Sequence, residues 1–348
     1  MGKHPFFRRN WKLILNIITL VALAVLVYAI RGQLVATFKN LTRVDAWSLL
    51  LMVPVQLGNY HAQTKLYQGL FALVGNKLPY KEMLRAAVEL NFVNHVFPSG
   101  GVSGISYFGM RMRRDDITGS RATLVQLVKL LLLFLSFELL LVIGLVLMAL
   151  GSQVNNFVIL VTSSLTTLLL VGTLAFVAII GSQQRINAAS AFLTRIVNKV
   201  IHYFRPKHPE TISTARMQHI FEELHVNYKV IESRWRELKR PFFWAFVANL
   251  TEVLTIYVVY LAFGSAVNPG AVILAYAVAN FAGLVSILPG GIGIYETLMT
   301  GVLVAAGVPA SLSISVTVMY RVINTIIQLV PGYYLYHQTI RGSSDDSA

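Results

Sequence analysis

The chain contains no cysteine, which excludes disulfides and thiolate-held metals from any account of its stability or chemistry. It is also poor in charge: Asp, Glu, Lys and Arg make up 13% of its 348 residues, with 15 acidic against 29 basic. The few carboxylates do not cluster, so metal-dependent group transfer lacks its ligands. No Ser/His/Asp arrangement falls at one depth of the chain, as nucleophilic catalysis would need. His202, His208, His219 and His225 are scattered and share no face with carboxylates, so a His-based metal site of ordinary spacing is excluded as well. The sequence asks for neither a cofactor nor a metal.

What is abundant is apolar. Hydrophobic residues make up 55% of the chain, the mean hydropathy is +0.64, and the apolar residues come in long runs. This composition is that of an all-α polytopic integral membrane protein. A formal net charge of +14 would point to nucleic acid in a soluble chain. Here it has a simpler cause, because Lys and Arg gather in cytoplasmic loops and near anionic lipid head groups. Nucleic acid is not expected as a partner, and no motif bears on oligomeric state.

Six runs read as full spans: 13–30, 46–67, 123–150, 157–180, 241–263 and 310–336. The first follows Lys3, Arg8, Arg9 and Lys12 and is too long for a signal-peptide core, so it reads as a retained helix with its N-terminus in the cytoplasm. Arg31, Lys39 and Arg43 are read as lying beyond its end. In the second span Gln56, Asn59, Gln63 and Tyr67 recur at helical spacing and form one wet stripe. Hydrogen bonding between helices is the preferred reading of that stripe over ligand binding.

The segment 182–240 holds eleven Lys and Arg and must be cytoplasmic. Residues 192–204 form a basic amphipathic helix suited to an anionic membrane surface. Residues 213–239 form a second, with Ile220, Leu224, Ile231, Trp235 and Leu238 on one face. A structural, interfacial linker is preferred here over an independent binding domain. The tail after 337 returns to the cytoplasm.

Two stretches interrupt the apolar pattern. Pro98-Ser99-Gly100-Gly101 breaks the segment 82–108, and Pro289-Gly290-Gly291-Ile292-Gly293 breaks the segment 271–308. Proline lacks the amide proton and glycine has most backbone entropy to lose, so neither stretch continues a helix. Broken helix is tolerated in hydrocarbon only when buried in protein or lining a wet cavity. Each break could also be an ordinary kink or a tight turn between spans. Against that, the breaks match. Lys129 and Arg321, cations inside apolar runs, follow Pro98 and Pro289 at nearly the same interval. Paired Gly/Pro interruptions in two halves point to a transporter binding site.

The chain therefore divides into a first helix with its tail (1–43), a first repeat (44–150) with broken hairpin 82–108, a connecting span (151–181), the basic segment (182–240), a second repeat (241–337) with broken hairpin 271–308, and a tail (338–348). The single connecting span inverts the second repeat relative to the first. The expectation is an inverted-topology repeat with six full spans and two re-entrant hairpins, and the inversion holds whether the hairpins dip or cross.

Pro289-Gly290-Gly291-Ile292-Gly293-x-x-Glu296, followed by an apolar span, Gly307 and Tyr320-Arg321, resembles the flippase-like domain family. That family comprises the transmembrane region of lysylphosphatidylglycerol synthases and stand-alone relatives. The resemblance runs from about Trp11 to Tyr336, with Pro98-Ser99-Gly100-Gly101 a looser match. It implies a protein of a bacterial or archaeal cytoplasmic membrane that moves polar lipids or lipid-linked sugars between leaflets. The chain ends without room for the soluble aminoacyl-transfer domain of some relatives, so a transporter is expected rather than an enzyme.

The residues allow the same reading in physical terms. Helix N-termini at a break favour anions, and a phosphate is the natural guest for Arg321, which can grip it bidentately, and for Lys129, which acts as a point charge. Asn94, Tyr320 and Asn324 complete the expected lining, beside the two broken stretches. Alternatively the cations pair internally with Glu138, Glu252 or Glu296. If Glu296 alternates with the phosphate at Arg321, it can also take a proton, with Glu252 and Glu138 as further coupling candidates. A membrane enzyme of lipid modification and an accessory scaffold of envelope synthesis are the rival readings. Costly broken helices argue against the scaffold.

Overall fold

The computed structural model describes residues 5–42, 44–97, 102–151, 155–188, 191, 192, 195, 214–285 and 293–342, and every regular element among them is a helix. In chain order these are α1 (Pro5–Leu41), α2 (Ala46–Leu49), α3 (Met52–Leu73), α4 (Tyr80–Val96), α5 (Val102–Met112), α6 (Gly119–Leu150) and α7 (Asn156–Ile180). A helical stretch, α8, opens at residues 183–188. Then come α9 (Thr214–Ser233), α10 (Lys239–Ala262), α11 (Pro269–Val285), α12 (Ile294–Ala305) and α13 (Ala310–Gly342). The chain is an all-α polytopic membrane protein. Among the described residues four helical stretches are long and apolar enough to cross a membrane: Gly119–Leu150, Asn156–Ile180, Trp235–Ala262 and Ala310–Ile340. On α7 the leucines Leu160, Leu170 and Leu174 all point outward, a surface suited to hydrocarbon and not to water.

The boundaries have local causes. Asp45 caps α2 by accepting from the Trp47 amide, Thr118 caps α6 from Arg121, and Asn155 caps α7 from Val158 at 2.9 Å. The expected second span is split after Leu49, because Pro54 in the first turn of α3 has no amide proton to offer the preceding turn. The first helix does not stop near Ile30. It continues through Arg31 and Lys39, since no proline follows before Leu41 and the helix packs against α13. The last helix likewise continues past Tyr336 to Gly342.

The second amphipathic helix ends at Ser233, earlier than expected, and Trp235–Leu238 is a separate 3-10 turn. Leu224 and Ile231 are buried against the α3–α6 core as the apolar stripe requires, but Trp235 is exposed. The tighter turn rotates it off that face. The helix expected at 192–204 lies almost wholly outside the described residues.

Helices α3–α6 and α10–α13 are two copies of one plan, with corresponding ends about 190 positions apart throughout. Their turns match in backbone detail. After α3, Gly75 has φ 86 and the Asn76 amide reaches Phe71 O; after α10, Gly264 has φ 67 and the Ser265 amide reaches Tyr260 O. After α5, Asp116 has φ 56 and the Ile117 amide reaches Met112 O; after α12, Gly307 has φ 88 and the Val308 amide reaches Leu303 O. All four are six-to-one helix stops, which need a left-handed residue that glycine supplies most cheaply.

The copies interlock. Helices α3 and α10 lie antiparallel along their full length. Asp45 donates to Ala262 O at one end, Asn59 to Ala248 O and Thr251 in the middle, and Arg234 to Leu73 O at the other end. Of the stripe on α3, Asn59 and Tyr67 bond to other helices, whereas Gln63 bonds to Asn59 within α3 and lines the cavity, and the Gln56 amide has no hydrogen-bond partner among the described residues. The first arm of each hairpin packs on the last helix of the other copy, α4 on α13 and α11 on α6. Where α11 crosses α6, a side chain on Gly270 would overlap the Gly144 carbonyl. Two glycines thus set the closeness of that crossing.

On the other side, buried Glu89 of α4 takes Arg85 at 3.1 Å, the Tyr107 hydroxyl at 2.7 Å and Arg111 at 3.4 Å, and Thr339 of α13 donates to it. The Glu89 carboxylate is thus satisfied by side chains of three helices, α4, α5 and α13.

Candidate binding cavity

Two adjoining lobes lie between the copies. One has a volume of about 340 Å³ and the other about 220 Å³. They share Gln63, Asn91, Glu252, Tyr276 and Asn280 as a common wall. The larger lobe is built on α13, whose Tyr320, Arg321, Asn324 and Gln328 repeat at helical spacing and all face it, with Asn94 and His95 of α4 opposite. The smaller is built on α6. From Lys129 onward its lining is Leu130, Leu133, Phe134 and Phe137, joined by Leu165 and Leu169 of α7.

Arg321 forms an ion pair with Glu296, and both side chains are largely buried, at 14% and 15% exposure. Gly293 makes this pair possible. Its φ of 87 turns the chain into α12, and its amide then donates to the free oxygen of Glu296 at 2.6 Å. Gln33 of α1 donates to the other oxygen at 2.7 Å. The guanidinium also stands 4.7 Å above the Tyr295 ring, which adds a cation–π contact. An unpaired arginine at this depth would cost roughly 2.5–3.5 kcal/mol by insertion scales. The Glu296 carboxylate offsets much of that cost.

Lys129 is held differently. Its ammonium donates to the Tyr67 hydroxyl at 2.9 Å and lies 4.5 Å above that ring. Tyr67 passes its own proton to Gln126 at 2.9 Å. Among the described residues no carboxylate reaches Lys129. Glu252 stands in the shared wall, accepts from Tyr320 at 3.3 Å, and forms no salt bridge among those residues. The two cations therefore sit in different lobes. Of the three carboxylates offered as internal partners, only Glu296 is seen to pair, with Arg321.

The structure thus brings Arg321, Glu296, Asn94, Tyr320 and Asn324 to one lobe, Lys129 to the next, and Glu252 between them, with Gly293 beneath Glu296. Glu138 is not part of this group. It lines neither lobe, and its Oε1 has no hydrogen-bond partner among the described residues, because it projects from a different face of α6 than Lys129 and Phe137. Pro98, Ser99, Gly100, Gly101, Pro289, Gly290 and Gly291 lie outside the described residues. No three His, Asp or Glu side chains among those residues gather to hold a metal ion.

Sequence reasoning missed Tyr276, Asn280, Tyr295 and Gln33. Asn280 stands alone in the apolar helix α11 and creates no periodic signal. An isolated amide in a membrane helix was the only cue to it.

Comparison with known proteins adds the following. A family model described as the lysylphosphatidylglycerol synthase TM region matches residues 14–332. A UPF0104 membrane protein of Methanothermobacter thermautotrophicus is 32% identical over 119 residues, which is 32% of this chain and 36% of that one. A UPF0104 membrane protein of Pyrococcus horikoshii is 26% identical over 145 residues, 42% of this chain and 43% of that one. The matched stretches thus span less than half the length of either relative.

Proposed function

Since the chain belongs to the family of the lysylphosphatidylglycerol synthase transmembrane region, we propose that it moves a phosphate-bearing lipid between the leaflets of the cytoplasmic membrane, and that it is not an enzyme. One observation carries the reading: a polar lobe with a buried arginine adjoins a lobe lined in part by leucine and phenylalanine. Such a cavity suits a molecule with an anionic head and a hydrocarbon chain, and matches neither part alone. In the empty site Glu296 neutralises Arg321. An arriving phosphate takes over the guanidinium with two parallel hydrogen bonds, and Glu296, displaced, is free to take a proton. That exchange would couple transport to the proton gradient. The hairpins of the two inverted copies, entering from opposite faces, then expose the cavity alternately to each leaflet. Both termini and the basic segment 182–240 lie in the cytoplasm in this reading, with anionic lipids against that segment.

The test uses purified full-length protein in liposomes carrying a fluorescent short-chain phospholipid or prenyl phosphate. Exposure of the label to a membrane-impermeant quencher reports its transfer. Arg321→Ala should lose ligand binding and transfer together. If Arg321→Ala remains folded with both unchanged, Arg321 is a structural ion pair and the reading fails.

A further inference from the structure

The core between α3, α10 and α13 carries polar side chains away from the two lobes. Gln56, Tyr60, Tyr260, Ser313 and Thr317 are each at 4% exposure or less. The Gln56 amide and the four hydroxyls have no hydrogen-bond partner among the described residues. Other hydroxyls in these helices behave differently. Thr64, Thr251 and Thr255 return theirs to the carbonyl one turn back in the same helix, a common way to satisfy a hydroxyl inside a helix. Ser313 and Thr317 do not make that bond, so their oxygens stay open to another partner. A buried polar group left unpaired is costly. A bound water that bridges two to four such groups removes the cost.

These side chains fall in two rows. Gln56 and Tyr60 stand on consecutive turns of α3, on the side where Asn59 reaches α10, and Tyr60 comes within electrostatic reach of Glu252. Ser313 and Thr317 stand on consecutive turns of α13, and one turn further Tyr320 donates to Glu252 at 3.3 Å. Tyr260, in the last turn of α10, stands beside Ser313 without a hydrogen bond of ordinary geometry. Both rows begin near the end of the molecule where Asp45 meets Ala262. Both finish at Glu252, about 15 Å along α10 from Ala262. A metal-ion cage would need its oxygens gathered at one point. These groups are instead strung out turn by turn, and each can both donate and accept, which suits a file of waters. An ionisable group at membrane depth marks a functional site, and Glu252 is where the two files meet.

We propose that bound waters, bridging Gln56 and Tyr60 in one row and Tyr260, Ser313 and Thr317 in the other, form a proton path from the Asp45 end of the molecule to Glu252. That end is the external face in the orientation proposed above; the sidedness rests on that reading and the path does not. A proton taken up by the outermost water is matched by one passed from the innermost water to the Glu252 carboxylate. Glu252 lines both lobes, so a proton that reaches it has entered the cavity. The titratable and charged groups facing Glu252 are Tyr60 of α3, His95 of α4, Lys129 of α6, Tyr276 of α11, Tyr295 of α12, and Tyr320 and Arg321 of α13, the last bound to Glu296.

The experiment is radiolytic hydroxyl labelling of the purified full-length protein in detergent, which marks buried side chains that touch bound water. Tyr67 is the control, because it is as deeply buried but already bonded to Lys129 and Gln126. Tyr60 and Tyr260 should label about tenfold faster than Tyr67, as side chains with water at their hydroxyls. Gln56→Leu should bring Tyr60 down to the Tyr67 rate, and Ser313→Ala with Thr317→Val should do so for Tyr260. Thermal melts verify that the variants are folded. A second readout follows the carboxyl infrared band that Glu252→Gln removes. The protein is inserted into liposomes in one orientation, and the pH is changed on the side of Asp45. The response of the band should slow by about tenfold when Gln56→Leu and Thr317→Val are combined, since both files are then interrupted. Tyrosines that label as slowly as Tyr67, or rates that the variants leave unchanged, overturn the proposal. An infrared response that does not slow overturns it as well, because the waters then carry no protons to Glu252. No lipid ligand is added, so these outcomes leave the phosphate-lipid reading untouched, and failure of that reading leaves the path standing.

Discussion

At the scale of single residues the cavity turns on Arg321 and Glu296. A lysine at 321 would keep the charge but lose the planar fork that holds two phosphate oxygens at once. Arg321→Lys should therefore weaken phosphate-lipid binding by about tenfold, measured by calorimetry with a prenyl phosphate. Glu296→Gln should bind the ligand at least as well as the parent, because the competing charge is gone. It should also lose any pH dependence of transfer, read in liposomes across a pH series; a retained pH profile would move the coupling group elsewhere. Gly293 is the third residue of this set. Its φ of 87 is a conformation that a side chain strains, so Gly293→Ala should lower stability by about 1–3 kcal/mol, visible as a depressed melting temperature. Arg321, Glu296 and Asn324 were legible in the sequence because a charge or amide inside an apolar helix stands out at once. Which carboxylate pairs with which cation was not, since Glu138, Glu252 and Glu296 look alike in one dimension and only the turn at Gly293 brings Glu296 to Arg321.

At the scale of helices, two devices fix the hairpin arms to their neighbours. Helix α11 is held on α6 through Gly144 and Gly270, and α4 on α13 through the Glu89 network. Gly270→Leu should force the first pair apart and abolish transfer, and a normal transfer rate would mean that the crossing is slack. Removing Glu89 as Glu89→Ala leaves the Tyr107 and Thr339 hydroxyls without their shared acceptor, while Arg111 keeps Glu82 and Asp115, and should cost about 1–3 kcal/mol, the usual penalty for buried polar groups left unsatisfied. The arms themselves were legible from the proline and glycine clustered at each break, where a lone Pro331 or Gly144 leaves α13 and α6 uninterrupted. Their docking partners were not, because α4 meets α13 across most of the chain and nothing local records that contact. The same holds for α9: its amphipathic stripe is plain in the sequence, whereas its burial against the start of α6 depends on residues far away.

At the scale of the molecule, the repeat was legible in its matched breaks and cations, and less so in its turns. Asp116 holds the place that Gly307 holds in the second copy, so the left-handed stop is conserved in geometry while the residue differs. Orientation is testable directly. A reporter fused after Gln153 should read external and one after Lys207 cytoplasmic; the same side for both would remove the inversion. A further consequence lies in the exchange of arms, α4 onto the second copy and α11 onto the first. Each copy, taken alone, leaves its arm without the helix it packs on and its last helix without an arm. A second molecule of the same half, inserted upside down, would supply both surfaces. The fold is therefore that of an antiparallel homodimer written into one polypeptide, with α7 as the crossing that lets a single chain hold both orientations. Freed from the need to be identical, the two halves can specialise: past Arg321, α13 carries Asn324 and Gln328, where past Lys129, α6 carries Leu133 and Phe137.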